Sequence, residues 1–142
     1  MYLWDANILR YFGQGHATLR AHLLRVPWRE IALPSVVVAE VLRGRCDFAL
    51  KASPAQTPHA HERLQETMHM LSQFQIVVFD QACTEVMNRL RQRHRRRKRY
   101  ADLMIAAMAI AGRHVVVTRN TADFIDVLSS DQIANWIDDS PG

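Results

Sequence analysis

The sequence predicts an α/β fold, a three-layer α/β/α sandwich with a central parallel sheet of four to five short strands. Short apolar runs alternate along the chain with stretches whose apolar residues recur at helical spacing, the order typical of a parallel sheet covered by helices. The β-branched run Val115–Val117 favours a strand buried on both faces. The 142 residues contain no repeat or low-complexity linker, so we expect a single domain over residues 1–142.

The first third of the chain contains the first two predicted strands. Residues 2–4 form a short apolar run, and a helix is predicted from Ala6 until Gly13 interrupts it. A second helix is predicted over residues 16–25. Residues 31–33 indicate a brief strand, which Pro34 should end.

Two helices and a strand are predicted in the middle of the chain. Ser35 is placed to cap a helix over residues 36–43, and Gly44 is its expected end. The spacing of the apolar residues then predicts a helix over residues 58–74. A strand over residues 76–79 is expected to follow it.

The second half begins with Asp80, which is placed to cap another helix. Helical spacing connects four apolar residues of that helix, Cys83, Val86, Met87 and Leu90. Residues 103–111 are apolar on every side, which predicts a helix buried in the core between Asp102 and Gly112.

The charge is concentrated in one segment. The chain has 18 Lys and Arg against 14 Asp and Glu, a net charge of +4. Eight of the basic residues lie within residues 89–99, which contain no acidic residue. We call this segment the basic tract. The remaining ten basic and fourteen acidic residues give the rest of the chain a net charge of −4.

Several classes of protein are disfavoured by the sequence. The N-terminus lacks the basic and apolar regions of a secretory signal. The longest apolar run, nine residues, is too short to cross a bilayer, so we expect a soluble cytoplasmic protein with no membrane partner. Cys46 and Cys83 form no CxxC pair, and the pair His59 and His61 has no third ligand nearby, so no zinc site is indicated.

Acidic and amide side chains gather at the predicted carboxyl ends of the strands, where parallel sheets bind ligands. Together with one glutamate in an apolar helix and one threonine, they form the candidate site: Asp5, Asn7, Glu40, Asp102, Thr118, Asn120 and Asp123. Because apolar neighbours penalise the charge of Glu40, we expect a cationic or hydrogen-bonding partner for it.

Each acidic residue also has a structural explanation. Asp5, Asp102 and Asp123 could cap helices, and Glu40 could face solvent. Several carboxylates at one edge of a sheet would repel one another, however, and divalent cations relieve that repulsion. Oxygen ligands without Cys or His favour Mg²⁺, with Mn²⁺ as an alternative. A pair of such ions suits phosphodiester hydrolysis, since one activates a water and the other stabilises the leaving oxygen.

Four stretches, residues 3–9, 33–44, 101–107 and 117–124, resemble the PIN-domain ribonucleases in order and spacing. Within that family they are similar to the VapC-type toxins of bacterial toxin–antitoxin pairs. The resemblance extends from residue 2 to about residue 136 and implies the PIN-like form of the α/β/α sandwich.

The resemblance implies that Asp5, Glu40 and Asp102 are the core acidic residues of a metal site. The fourth acidic position falls at residue 120 or at residue 123, and here only Asp123 is a carboxylate. Asn7 is implied to orient Asp5, and Thr118 to form hydrogen bonds near the metals or a bound phosphate. Having Asn120 in place of an acid leaves open whether one or two ions are held.

The basic tract departs from the family pattern, in which a short glycine-containing turn precedes the third acidic motif. It is either a solvated helix end or a surface that holds RNA phosphates near the acidic site. We favour RNA binding by six residues of the tract, Arg93, Arg95, Arg96, Arg97, Lys98 and Arg99.

The sequence therefore predicts a Mg²⁺-dependent endoribonuclease that is the toxin of a toxin–antitoxin pair. In the predicted mechanism Asp5, Asp102 and Asp123 bind metal, and Glu40 binds metal or positions the attacking water. The resemblance also implies a homodimer inhibited by a small VapB-like antitoxin. The alternatives are a non-catalytic nucleic-acid-binding regulator that uses the basic tract, and a receiver-like or phosphatase domain, which the lack of a lysine after Thr118 disfavours.

Overall fold

The computed structural model describes residues 1–94 and 98–142, and five strands lie in this part of the chain. They are β1 (Tyr2–Trp4), β2 (Ile31–Pro34), β3 (Gln75–Val77), β4 (Val115–Val117) and β5 (Ile133–Ala134). All neighbouring strands are parallel, in the order β3-β2-β1-β4-β5. The predicted parallel sheet is therefore confirmed, and β5, for which the sequence analysis proposed no segment, completes it.

Six α-helices connect the strands within the described residues. They are α1 (Ala6–Gly13), α2 (Ala17–Leu23), α3 (Ser35–Lys51), α4 (Thr57–Leu71), α5 (Gln81–Arg93) and α6 (Tyr100–Gly112). Single 3-10 turns occur at Trp28–Glu30, Thr121–Asp123 and Ser130–Gln132. Helix α3 packs against α4, and α5 packs against α6.

The strand order determines where the helices lie and where a ligand can bind. From β1 to β3 the sheet grows in one direction, and from β3 the chain returns to the other side of β1. Right-handed connections therefore place α1–α4 on one face and α5 and α6 on the other, which gives three layers. The segments that follow β1 and β4 go to opposite faces of the sheet, which leaves a crevice at the carboxyl ends of these two strands. Ligands bind in such crevices in parallel sheets.

The core holds β1 in place beneath that crevice. Leu3 and Trp4 are fully buried. The Trp4 ring lies 5.4–6.3 Å from four other aromatic rings, those of Phe12, Trp28, Phe74 and Trp136. Burial of an indole in such a cluster removes a large apolar surface from water. The residue that follows Trp4 is therefore attached to a rigid strand.

Helix α6 is the buried helix predicted from its composition. Six of its residues are buried, Leu103, Ile105, Ala106, Ala107, Met108 and Ala109. It ends at Gly112 as predicted, but the residue with left-handed backbone geometry is Arg113, with φ 55°. A side chain at position 112 would force the His114 ring to shift, so packing against that ring rather than a turn favours this glycine.

Two details of the α3 prediction are wrong. The helix continues through Gly44 to Lys51. A glycine inside a helix costs only about 1 kcal/mol, and packing of α3 against α4 outweighs that cost. Ser35 is the first residue of the helix rather than its cap, and its Oγ accepts a hydrogen bond from the Phe79 amide at 3.0 Å.

Pro34 also behaves differently from the prediction, because it belongs to β2 and lies opposite Val77 of β3. Proline in a strand removes only its own N–H from the ladder. Strand β3 is the edge strand, and it begins and ends earlier than predicted. No helix among the described residues is long and apolar enough to cross a membrane.

Candidate active site

Asp5 lies at the carboxyl end of β1 and is only 8% exposed. It caps α1, since its Oδ1 accepts hydrogen bonds from the amides of Asn7 at 3.0 Å and Ile8 at 3.3 Å. Asn7 thus orients this carboxylate through its backbone N–H. The capping role is real, but it uses only one carboxylate oxygen.

The second oxygen of Asp5 faces Thr118, which follows β4. The fully buried Thr118 hydroxyl donates a hydrogen bond to Asp5 Oδ2 and accepts one from the Asn120 amide at 3.0 Å. This hydroxyl therefore orients Asp5 directly, across the crevice between β1 and β4. The predicted hydrogen bonds of Thr118 near the metals or a bound phosphate stay a prediction.

Burial dominates the electrostatics of Asp5. Desolvation raises the pKa of its carboxyl, the bonds from Thr118, Ile8 and Asn7 lower the pKa, and the charge of Glu40 raises it. The net shift is upward. The hydrogen bonds to Asp5 therefore do not offset the cost of burying its charged form.

Asp102 connects the four acidic residues of the candidate site. It lies half-buried in the first turn of α6. Burial raises the pKa of its carboxyl, Arg99 lowers it, and the charges of Asp123, Asp5 and Glu40 raise it further. The fold therefore brings the other three predicted carboxylates near enough to Asp102 for their charges to affect its ionisation.

Glu40 has the cationic partner that the sequence predicts. Its Oε2 lies 3.2 Å from Nη2 of Arg99, the residue immediately before α6. The Glu40 side chain is 23% exposed and that of Arg99 is 72% exposed. This ion pair joins α3 to the start of α6 beside Asp102.

Asp123 ends a 3-10 turn, Thr121–Asp123, and is exposed. Its amide donates to the Asn120 carbonyl at 3.0 Å. The turn therefore places the carboxylate of Asp123 near Asp102, while Asn120 supports the turn through its backbone. Asp123 is the one of the two candidates whose charge acts on the site.

The family model of the PIN domain matches residues 2–127. The chain belongs to the PIN domain family. No curated protein matches the sequence.

Three solved structures resemble this PIN domain over most of its length. A toxin–antitoxin complex from Klebsiella pneumoniae is 26% identical over 96% of this chain and 98% of that chain, with a TM-score of 0.68. FitAcB from Neisseria gonorrhoeae is 26% identical over 96% and 98%, with a TM-score of 0.71. VapBC2 from Rickettsia felis, bound to a promoter DNA fragment, is 26% identical over 89% and 92%, with a TM-score of 0.67. The resemblance to VapC-type PIN toxins is confirmed.

Two described residues of the basic tract, His94 and Lys98, contact Asp126 of the PIN domain. Lys98 is 9% exposed, and its ammonium lies 2.5 Å from Asp126 Oδ1 and 2.6 Å from the Asp123 carbonyl. His94 approaches the other Asp126 oxygen at 3.8 Å. Contact of Lys98 with RNA, as the sequence predicts, would require this pair to break.

The other predicted RNA-binding residues have different surroundings. Arg93 is exposed at the end of α5, and Arg99 pairs with Glu40. Arg95, Arg96 and Arg97 lie outside the described residues, so their predicted role stays a prediction.

Two interactions near the site were not foreseen. Asp126 anchors Lys98, and Arg119 forms two bonds of 3.1 Å to the carboxylate of Asp138. Arg119 also donates to the Tyr11 hydroxyl at 2.6 Å. These contacts join residues that are far apart in the sequence, and no local spacing indicates them.

The donor chemistry of this PIN domain fits a hard divalent cation. The candidate ligands are carboxylates only, the oxygen ligands that such a cation prefers. Burial and neighbouring carboxylates disfavour the charged forms of Asp5 and Asp102. Among residues 1–94 and 98–142, however, no three His, Cys, Asp or Glu side chains are grouped closely enough to hold an ion as they stand. Thr118 holds Asp5 and Arg99 holds Glu40, so ion binding requires Glu40, Asp102 and Asp123 to move toward the fixed Asp5.

Proposed function

We propose that this PIN domain is a Mg²⁺-dependent endoribonuclease that acts as the toxin of a toxin–antitoxin pair and cleaves cellular RNA. The observation that carries the proposal is that the charges of Asp123, Asp5 and Glu40 all act on Asp102. These three charges raise the free energy of ionising Asp102, and the charge of Glu40 also raises that of Asp5. A divalent cation bound at the β1–β4 crevice would offset this cost.

Each carboxylate has a distinct task in the proposed mechanism. Asp5, Asp102 and Asp123 would hold Mg²⁺, and Glu40 would hold it or accept a hydrogen bond from the attacking water. Bound Mg²⁺ supplies activation of that water and stabilisation of the charge on the leaving oxygen. The water attacks the phosphorus in line, the bond from phosphorus to the 3′ oxygen breaks, and the product carries a 5′ phosphate.

The supporting residues keep Asp5 in place for this task. Two backbone amides hold Oδ1, and the Thr118 hydroxyl holds Oδ2. A carboxylate fixed in this way loses little conformational freedom when it binds an ion. Arg99 neutralises Glu40 at 3.2 Å, so the same guanidinium becomes available to a substrate phosphate when Glu40 turns to an ion or a water.

The test is cleavage of structured and single-stranded RNA by wild type and by Asp5→Asn, in Mg²⁺ and in EDTA. Asparagine is also a good helix cap, so this variant keeps the fold while it removes a charge. We expect EDTA to abolish cleavage and Asp5→Asn to slow it about 100-fold or more, the scale for removing one electrostatic group from a reaction centre. Asp47→Asn, in an exposed ion pair with Lys51, is the matched control.

Cleavage by Asp5→Asn at the wild-type rate would overturn the proposal. Salt-dependent RNA binding without EDTA-sensitive cleavage would instead support the non-catalytic regulator that uses the basic tract.

We further propose that the chain forms a homodimer and is inhibited by a small VapB-like antitoxin. The similar structures include a toxin–antitoxin complex and VapBC2, which supports the antitoxin. The homodimer rests on the resemblance to the VapC-type toxins. Light scattering should give about twice the 16.3 kDa of one chain. A short upstream gene for a DNA-binding protein would identify the partner, and its purified product should stop RNA cleavage.

A further inference from the structure

A cavity of about 660 Å³ opens beside Glu40, one of the four carboxylates. It lies between α3 and the start of α6, and Glu40 belongs both to its wall and to the acidic site. The volume falls within the range of small-ligand pockets in proteins. A ligand that occupied the cavity would therefore touch the reaction centre.

The cavity wall combines aromatic, apolar and cationic groups. Tyr100 presents an aromatic ring and is 59% exposed. Met104 and Val36 contribute apolar surface, and Arg43 and Arg99 contribute guanidinium groups. A flat apolar ring flanked by cations matches a nucleotide, which has a stacking base and an anionic phosphate.

Arg91 strengthens this match from outside the cavity. Its guanidinium lies 5.5 Å from the centre of the Tyr100 ring, which is within the range of a cation–π contact. The ring is therefore surrounded by positive charge, although the body of the domain is acidic. A polyanionic strand is complementary to this surface, whereas an apolar helix of a protein partner would bring no counter-charge to Arg43 and Arg91.

We propose that this cavity is a nucleotide subsite that binds the base of an unpaired nucleotide next to the cleaved phosphate. The base stacks on Tyr100 against the Met104 surface, and Arg43 and Arg99 contact the flanking phosphates. A base within a duplex is already stacked and cannot enter, so the subsite selects single-stranded RNA or loops. This inference rests on the proposed function, because it adds a specificity site to the same reaction centre.

The experiment measures binding of fluorescent RNA in the Asp5→Asn background, which prevents cleavage during titration. We expect Tyr100→Ala to weaken binding of a single-stranded oligonucleotide about 5- to 150-fold, the range for loss of one base–aromatic stack. Tyr100→Phe keeps the ring and should restore most of the affinity. Leu50→Ala shortens an apolar side chain that is 82% exposed on α3 and is the matched surface control.

An abasic probe separates stacking from a general loss of binding. The probe is an oligonucleotide that lacks one base beside the cleavage position. The protein that keeps Tyr100 should bind this abasic strand as weakly as Tyr100→Ala binds the complete strand. The Tyr100→Ala change should then cause no further loss with the abasic strand. A fully paired duplex should bind both proteins alike.

Failure of this inference is distinguishable from failure of the proposed function. If wild type cleaves RNA in Mg²⁺ and Tyr100→Ala binds single strands as wild type does, the subsite is wrong and the nuclease stands. If wild type does not cleave RNA, the proposed function fails, and this inference fails with it. Unchanged RNA binding with loss of the dimer in Tyr100→Ala would assign the cavity to a protein interface and overturn the subsite.

Discussion

The buried hydroxyl of Thr118 donates a hydrogen bond to Oδ2 of Asp5, across the crevice between β1 and β4. The two residues are 113 positions apart in the chain, yet each directly follows its strand. Because β1 and β4 pair in register, Trp4 lies opposite Val117, and the next residue of each strand meets its counterpart. The sheet itself therefore builds the centre of the candidate active site.

The bond between Thr118 and Asp5 should be measurable as stability. Thr118→Val keeps the shape of the side chain but removes the hydroxyl from a buried carboxylate, and we expect a loss of about 1–3 kcal/mol in unfolding free energy. The pKa of Asp5 should rise further, because this bond lowers it. Urea denaturation in EDTA measures the loss, and Thr118→Ser should recover most of it. Equal stability of the Val and Ser variants would show that the bond contributes nothing.

The contribution of Asp102 to stability without metal should decrease as the pH rises. Burial and neighbouring carboxylates raise the pKa of Asp102, so the native state holds this proton more tightly than the unfolded chain does. The stabilisation from protonated Asp102 is therefore fully present below the ordinary aspartate pKa of roughly 4. It is lost as the pH rises through the higher pKa of the native state.

Asp102→Asn should remove this loss. We expect the variant to be more stable than wild type by about 0.3–1 kcal/mol at pH 7 in EDTA, because solvent screens this half-buried carboxylate, with the difference shrinking toward pH 4. Chemical denaturation at several pH values measures it, beside Asp47→Asn as the control. A difference that stays constant with pH would contradict the electrostatic cause.

Mg²⁺ should make wild type more stable than Asp102→Asn, the reverse of the order expected in EDTA. A ligand that binds only the native state at 100 times its dissociation constant adds about 2.7 kcal/mol, so the wild-type melting temperature should rise with Mg²⁺ concentration. Asp102→Asn and Asp5→Asn should respond much less, because each lacks one proposed ligand. Thermal denaturation across a Mg²⁺ titration is the measurement, and it does not depend on any RNA. An equal rise in all three proteins would place the ion elsewhere.

The basic tract should contain residues of two kinds. Arg93 is exposed, so Arg93→Gln should lower the slope of log affinity against log salt for single-stranded RNA by about 0.7. Lys98 is already paired with Asp126, so Lys98→Gln should change that slope little and should reduce thermal stability instead. Fluorescence titrations at several salt concentrations compare the two. If Lys98→Gln lowers the slope as much as Arg93→Gln does, the ammonium binds phosphate despite its ion pair.

The neutralisation of Arg95, Arg96 and Arg97 tests the rest of the tract. We expect weaker RNA binding and a flatter salt dependence, while the effect of Mg²⁺ on the melting temperature stays nearly unchanged. An unaltered salt slope would identify the tract as a solvated helix end.

Much of the fold follows from local patterns. The β-branched run Val115–Val117 forms a strand as predicted. The uniformly apolar stretch of α6 forms a buried helix as predicted. Both predictions succeed because they depend only on residues that are neighbours in the sequence. Local patterns predict that α3 ends at Gly44, but the helix continues to Lys51. Glycine weakens a helix by an amount that tertiary packing easily exceeds, and the sequence does not show that packing.

The sequence by itself determined which carboxylates could form a site, since Asp5 and Asp102 lie next to a strand end and a helix start. It also determined that Glu40 needs a partner, because an ionised group among apolar residues is costly. Only the tertiary structure decided the partners: Arg99 for Glu40 and Asp126 for Lys98. These pairs join residues that are 59 and 28 positions apart. Their distances depend on how the helices cross the sheet, and that crossing is set by the packing of the whole core rather than by any local spacing.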